Sequence, residues 1–163
     1  MTMQVRVGQG FDIHRFTDNA SDDRKLILGG VHFKGERGLI GHSDADVVAH
    51  ATAEAILGAC GLGNIGEHFP DTDAKYKNVD SIKLLELVSK MAQENNFEIG
   101  NVDCSIVCEQ PKIAPHRDAM QQKLSLAVGA PVTVKGRRAE GLGALGRAEG
   151  IACWAVAVVT KTK

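Results

Sequence analysis

The spacing of hydrophobic positions changes along the chain between the alternation typical of strands and the repeat of three to four residues typical of helices. Strands are predicted at residues 4–11, 102–108, 132–135 and 151–159, and a hairpin at residues 25–33 around Gly29-Gly30. Helices are predicted at residues 46–59, 81–95 and 116–128. This order predicts an α+β (α/β two-layer) fold, in which a mixed sheet packs on helices.

The first long helix has a predicted start with chemical consequences. Ser43 and Asp46 lie three residues apart and resemble a capping box, which places the helix start near Ser43. The free N–H groups and the positive dipole end of such a helix attract a phosphate. Polar residues 66–78 and glycine-rich residues 136–150 are predicted to be loops, and long loops in compact domains are often functional.

Composition narrows the class of protein. The 163 residues are expected to form one domain, residues 1–163, and a net charge of −1 gives no basic footprint for nucleic acid. Residues 1–6 hold no signal-peptide run, and the longest apolar run, residues 155–159, is far shorter than the roughly 20 residues of a membrane span. The four cysteines form no C-x-x-C pair and are expected to be buried thiols, which fits a cytosolic setting.

Two clusters carry metal-ligand chemistry. Asp12 and His14 face the same side of an extended segment, and Asp46 and His50 share one face of a helix. Asp12, His14 and His50 together suit zinc and would leave its fourth position open, which is the catalytic arrangement. Asp46 is expected to orient a histidine from outside the ligand set. The alternatives are a solvated turn at residues 12–14 and a hydrogen-bonded core histidine at position 50.

Two further segments point to phosphate. Residues 69–73 are a polar cluster, and the alternative to a functional role for them is a plain acidic turn. In residues 135–149, arginines and Glu140 lie among glycines. Glycines let backbone amides approach a phosphate and arginines bind it bidentately, while Glu140 could hold a second divalent ion. A solvated mobile loop is the alternative there. The chain has no G-x-S-x-G or G-x-x-x-x-G-K motif, so the residues alone indicate metal-assisted phosphoryl chemistry, with a nucleotide as one candidate substrate.

Six segments resemble the 2-C-methyl-D-erythritol 2,4-cyclodiphosphate synthase family, and together they span nearly the whole chain. They are RVGQGFDIHRF at 6–16, LILGGV at 26–31, GLIGHSDADVVAHA at 38–51, ILGACGLGNIGEHFPDTD at 56–73, IGNVDCSIVCEQPKIAPH at 99–116 and GRAEGIAC at 146–153. The most specific part is H-S-D-x-D-x-x-x-H with D-x-H upstream and F-P-D-T-D downstream. The resemblance implies a homotrimer with each active site between two subunits, in the cytoplasm or a plastid-type organelle.

The resemblance also implies roles for individual residues. Zinc would be bound by Asp12, His14 and His50, and magnesium or manganese by Glu140. His42 and Arg138 take the catalytic positions, because a family threonine assigned to transition-state stabilisation falls at Arg138. The further substrate-binding positions are Ile13, Ser43, Asn64, Ile65, Gly66, Phe69, Pro70, Asp71, Thr72, Asp73, Cys108, Glu109, Gln110, Pro111, Lys112, Ile113, Ala114, Arg137, Ala139, Ala144 and Arg147. Within this set, residues 108–114 would form a cytosine pocket.

The implied substrate is 4-diphosphocytidyl-2-C-methyl-D-erythritol 2-phosphate, a cytidine diphosphate compound of non-mevalonate isoprenoid synthesis. Its own 2-phosphate attacks the β-phosphorus and CMP leaves, which explains the missing protein nucleophile. A phosphate monoester with a second pKa of about 6 is already anionic at neutral pH. Catalysis must therefore come from positioning and charge neutralisation.

The chain departs from the family pattern at three places. Arg137-Arg138-Ala139 replaces a threonine-rich run, Asn64 stands where many members have aspartate, and Trp154 replaces a glutamate near the trimer axis. Arginine at position 138 would exchange a hydroxyl contact to phosphate for a charged one. Two alternatives to the synthase stay open at this point: a metal-dependent phosphohydrolase and an inactive, metal-stabilised trimeric binding protein.

Overall fold

The computed structural model describes residues 3–19 and 23–162. The strands are β1 (Met3–Arg15), β2 (Leu26–Leu28), β3 (Val31–Phe33), β4 (Glu98–Val107), β5 (Val132–Arg137) and β6 (Gly150–Thr162). The helices are α1 (Val47–Cys60), α2 (Ile65–His68), α3 (Ser81–Glu94), α4 (Arg117–Val128) and α5 (Gly143–Gly146), with 3-10 turns at Ala74–Tyr76 and Ala114–His116.

One sheet has the strand order β1-β6-β4-β5, and the predicted hairpin forms a separate pair, β2-β3. Strand β6 runs antiparallel to β1 and to β4, whereas β4 and β5 are parallel. The mixed sheet packed with helices confirms the predicted α+β fold. Within the two described ranges, no helix is both long enough and apolar enough to cross a membrane.

Alternation along β1 places its side chains on two faces of the sheet. Gly8 and Gly10 are buried and face α1, where a Cβ on Gly10 would stand 2.6 Å from the backbone nitrogen of Ala55. The inward row continues through Ala155 of β6 and Cys104 of β4, which are both buried. Because the glycines have no side chain, β1 and α1 approach closely, and this approach brings the polar end of β1 beside α1.

Helix α1 begins at Val47, and the capping box predicted at Ser43 is wrong. Asp46 is the N-cap, and its carboxylate accepts hydrogen bonds from the amides of Val48 and Ala49, each at 3.1 Å. A phosphate site at this helix end is also wrong, because a buried carboxylate already occupies the amides that would bind the anion.

Asp46 also has a different partner from the predicted one. Its two carboxylate oxygens accept from the amides of Gly29 and Gly30 at 2.8 and 2.7 Å, so Asp46 joins the β2-β3 turn to α1 instead of orienting a histidine. Burial raises the pKa of Asp46 to about 6, with Asp44 adding to the rise and the amide hydrogen bonds opposing it.

The other sequence predictions differ mainly at element boundaries. The predicted loop at residues 66–78 contains part of α2 and a 3-10 turn, and the loop at 136–150 contains the end of β5 and all of α5. Strands β1 and β6 are longer than predicted, since they pair with each other along their whole length through residues whose polarity hides the alternation. All four cysteines, each in the described part of the chain, are buried free thiols as predicted.

Candidate active site

Asp12, His14 and His50 converge at the end of β1 beside α1. Asp12 Oδ2 lies 3.2 Å from His14 Nε2 and 2.9 Å from His50 Nδ1. One ligand atom from each residue lies within 4.8 Å of the other two, and no other such group of three or more occurs among the residues that the structure describes. The sequence prediction that these three residues share a site agrees with this geometry, which could hold one metal ion.

The hydrogen bonds around His14 show that its outer nitrogen suits a metal. His14 Nδ1 donates to the Ile40 carbonyl oxygen at 2.7 Å, because a carbonyl can only accept. With the proton on Nδ1, the lone pair of a neutral ring lies on Nε2, which is buried and has no hydrogen-bond partner, although it faces Asp12 Oδ2 at 3.2 Å. A buried nitrogen without a partner is costly, and a bound cation would satisfy it. The donor set therefore fits a metal centre.

The charges within this group support each other. Burial would raise the pKa of Asp12, but the close contacts of its carboxylate with the His14 and His50 rings outweigh burial and hold the pKa well below its usual range. Burial would lower the pKa of His50, but the Asp12 carboxylate outweighs it and raises the pKa above 6.5. Without a metal, the pair is therefore an ionised carboxylate beside a readily protonated imidazole.

The raised pKa of His50 predicts how metal affinity depends on pH. A metal at Nδ1 must displace a proton, so affinity is expected to fall as pH drops, starting above 6.5 and approaching about tenfold per pH unit. Asp12 stays ionised and does not contribute near neutrality. Competition with a chromogenic chelator between about pH 5.5 and 8.5 measures this. Affinity that stays constant down to pH 6.5 would contradict the assigned pairing of Asp12 with His50.

A cavity of about 490 Å³ opens beside these ligand atoms. It is lined by Asp12, His14, His42, Ser43, His50, Ile65, Gly66, Phe69, Pro70, Asp71, Thr72, Tyr76 and Leu84. The predicted metal ligands and most of the predicted residues between 42 and 73 thus share one space. Tyr76 and Leu84 were not predicted, because nothing in the local sequence distinguishes them from other aromatic and apolar residues.

The residues predicted to form a cytosine pocket, 108–114, line a second cavity of about 520 Å³. Its lining contains Cys108, Glu109, Gln110, Pro111, Lys112, Ile113, Ala114, Arg137 and Arg138 from the prediction, together with Arg117, Val134, Lys135 and Gly136. Burial raises the pKa of Cys108 to about 11, so this thiol is neutral at physiological pH. The two cavities share no lining residue, so they are separate spaces on one chain.

Glu109, which lines the second cavity, is hydrogen-bonded to the glycine-rich segment beyond β5. Its Oε2 lies 2.9 Å from Arg138 Nε and 2.8 Å from Arg138 Nη2, both of which donate to it. Its Oε1 accepts from the Ala139 amide at 2.9 Å. The hydrogen bond from Arg138 lowers the pKa of Glu109. Arg138 is therefore held at the cavity edge by a carboxylate of the same chain.

The remaining predicted residues line neither cavity. Asn64 caps α2 by accepting from the Glu67 amide at 3.1 Å, Asp73 caps the following 3-10 turn, and Arg147 pairs with Glu149. Ile13 is exposed on the opposite side of β1 from Asp12 and His14. Ala139, Glu140 and Ala144 lie in the glycine-rich segment beyond β5. Their contacts with substrate stay predictions.

Known proteins resemble the chain over its length. The YgbB family model matches residues 5–160. A 2-C-methyl-D-erythritol 2,4-cyclodiphosphate synthase of Bacillus velezensis is 48% identical, with 96% of this chain and 98% of the relative covered.

Solved structures of similar proteins superpose on nearly the whole chain. The bifunctional IspDF of Campylobacter jejuni superposes with a TM-score of 0.92 at 38% identity over 99% of this chain, which spans 44% of that longer protein. The IspF of Plasmodium falciparum in complex with CDP gives a TM-score of 0.83 at 30% identity, covering 98% of this chain and 97% of that one. The chain belongs to the YgbB family, the family of the 2-C-methyl-D-erythritol 2,4-cyclodiphosphate synthases.

Proposed function

We propose that the protein converts 4-diphosphocytidyl-2-C-methyl-D-erythritol 2-phosphate into 2-C-methyl-D-erythritol 2,4-cyclodiphosphate and CMP. The observation that carries this proposal is the convergence of Asp12, His14 and His50 at one cavity, with His14 Nε2 buried and without a hydrogen-bond partner. The alternatives considered from the sequence, a phosphohydrolase and an inactive binding protein, find no support in the relatives, which carry the synthase name.

We assign zinc to this group, because one carboxylate oxygen and two imidazole nitrogens are a ligand set that zinc accepts. A zinc ion bound there would supply a Lewis acid for a β-phosphate oxygen. His42 lines the same cavity and would donate a hydrogen bond to the oxygen on which negative charge develops as the 2-phosphate attacks. The Glu140 carboxylate lies two residues beyond Arg138 and would hold magnesium or manganese, which prefer oxygen ligands.

The second cavity would bind the cytidyl half of the substrate. The solved relative with CDP supports a cytidine ligand, and the lining of this cavity combines apolar walls with Lys135, Arg137 and Arg138. Because the two cavities share no lining residue, we propose that the metal half of one subunit meets the cytidyl half of a neighbour.

The outer face of the sheet supports a homotrimer. Six apolar side chains on β1 and β6 are 40–64% exposed: Val5, Val7, Phe11, Ile13, Trp154 and Val156. Phe11 and Trp154 are paired in register, and their rings lie 4.8 Å apart. Contiguous exposed apolar surface of this kind marks an interface. Light scattering is expected to give three times the 17.4 kDa of one chain.

The buried free thiols fit a cytoplasmic location.

The direct test is incubation of the purified protein with the cytidyl substrate, with CMP followed by chromatography and phosphorus products by NMR. Cyclic diphosphate and CMP in equal amounts are expected, with loss on chelation and recovery on adding zinc with magnesium. A linear phosphate product would show that the protein is a phosphohydrolase and would contradict the proposal. Absence of CMP release would contradict it too and would favour an inactive binding protein.

Arg138→Ala tests whether the arginine contributes charge to the reaction. We expect kcat/KM for CMP release to fall by about tenfold, less than for a buried donor, because Arg138 is 70% exposed. Lys90→Ala is the matched control, since Lys90 is equally exposed on α3 and pairs with Glu94. Unchanged turnover in Arg138→Ala would remove arginine from the proposed mechanism.

A further inference from the structure

His50 has a second set of contacts, on the side of its ring that faces away from the other ligands. Its Nε2 lies 2.8 Å from Ser81 Oγ and 3.1 Å from Ser43 Oγ. Ser81 is the first residue of α3 and is 1% exposed. Its hydroxyl makes a short hydrogen bond to Asp44 Oδ1, and its amide donates to Asp44 Oδ2 at 3.0 Å.

The direction of each hydrogen bond follows from chemistry. An ionised carboxylate only accepts, so the Ser81 hydroxyl donates its proton to Asp44. The lone pairs of Ser81 Oγ are then free to accept from the N–H of His50 Nε2. With that proton fixed on Nε2, the lone pair of the neutral ring lies on Nδ1, which faces Asp12 at 2.9 Å.

We propose that Ser81 and Asp44 are positioning residues for the metal site, acting through His50. Asp44 orients the Ser81 hydroxyl, and that hydroxyl fixes the His50 ring with Nδ1 turned to the metal position. This role belongs to Asp44 and not to Asp46, whose carboxylate binds backbone amides. The inference rests on the proposed function only in requiring a metal at Asp12, His14 and His50.

Ser81→Ala is the first test, with Co²⁺ alone as the probe. Co²⁺ affinity, measured by chelator competition and by the visible spectrum, is expected to fall about 10- to 100-fold, the usual effect of losing a partner of a metal-ligating histidine. Ser89→Ala is the control: Ser89 is also buried on α3, and its hydroxyl donates to the Leu85 carbonyl oxygen. Ser89→Ala should leave both readouts unchanged. Equal affinities in the two variants would overturn the inference.

Asp44→Asn separates positioning from stability and serves if Ser81→Ala fails to fold. It should weaken Co²⁺ binding by itself, and the double variant should bind Co²⁺ no more weakly than Ser81→Ala, because Asp44 acts through Ser81. Additive losses of affinity would contradict that relation. The unfolding free energy, measured on the metal-free proteins, is expected to be lower in the double variant than in Ser81→Ala, since Asp44 also accepts from the amide of Asp46.

The two proposals can fail independently in this experiment. Wild-type protein that releases CMP while Ser81→Ala and Ser89→Ala bind Co²⁺ equally would keep the function and remove the positioning role. Wild-type protein without CMP release, but with weakened Co²⁺ binding in Ser81→Ala, would do the reverse. Wild-type protein that binds no metal at this site would overturn both.

Discussion

Asp12→Asn is expected to abolish both metal binding and CMP release while leaving the chain folded. Asp12 Oδ2 is the atom that both histidines face, and the substitution removes its charge but keeps its shape. Losing only a partner of a ligand costs about 10- to 100-fold in affinity, so losing a ligand should cost more than about 100-fold. CMP release should fall by about 1,000-fold or more, since the site loses its Lewis acid. Metal analysis and the CMP assay measure the two effects.

Asp18→Asn is the matched control for this change. Asp18 lies shortly after the same strand, is exposed, and pairs with Arg15 at 3.2 Å, so its charge is lost without touching the ligand group. Metal content and turnover should stay at the wild-type level in this variant. A fully active Asp12→Asn enzyme that retains its metal would show that the chemistry takes place elsewhere.

Gly10→Ala is expected to cost more stability than any other alanine substitution proposed here. The new Cβ would stand 2.6 Å from the Ala55 nitrogen and closer still to the Ala51 carbonyl oxygen, both of which are backbone atoms of α1. Relief requires β1 and α1 to separate, which also separates Asp12 and His14 from His50. We expect a loss of about 3 kcal/mol or more, a large part of a typical total of about 5–15 kcal/mol. Urea unfolding measures it.

Gly58→Ala, in α1, is expected to change the stability in the opposite direction. The nearest atom to its new Cβ would be the Gln9 carbonyl oxygen at 3.8 Å, an ordinary contact. Alanine is a better helix former than glycine by roughly 0.5–1 kcal/mol, so this variant should be slightly more stable than wild type. If Gly10→Ala unfolds at the same urea concentration as Gly58→Ala, close packing between β1 and α1 is not what holds the site together.

The grouping of Asp12, His14 and His50 could be predicted from two separate signals in the sequence. Asp12 and His14 are two apart in a strand, and the segment around His50 resembles a known family closely. The predicted role of Asp46 is wrong because the partners of its carboxylate are distant in the sequence. Its partners, Gly29 and Gly30, lie 17 and 16 residues away, and a pattern within one helix start contains no information about them.

The sequence by itself determined the alternating face of β1, the Gly29-Gly30 hairpin, the three long helices and the family. Each of these depends on neighbouring residues, whose backbone preferences and hydrophobic spacing act at short range. Only the tertiary structure decided that His50 meets Asp12 across 38 residues and Ser81 across 31, and that one chain carries two separate cavities. Those contacts depend on how closely packed elements approach, and for β1 and α1 that distance is set by glycines whose missing side chains produce no periodic signal.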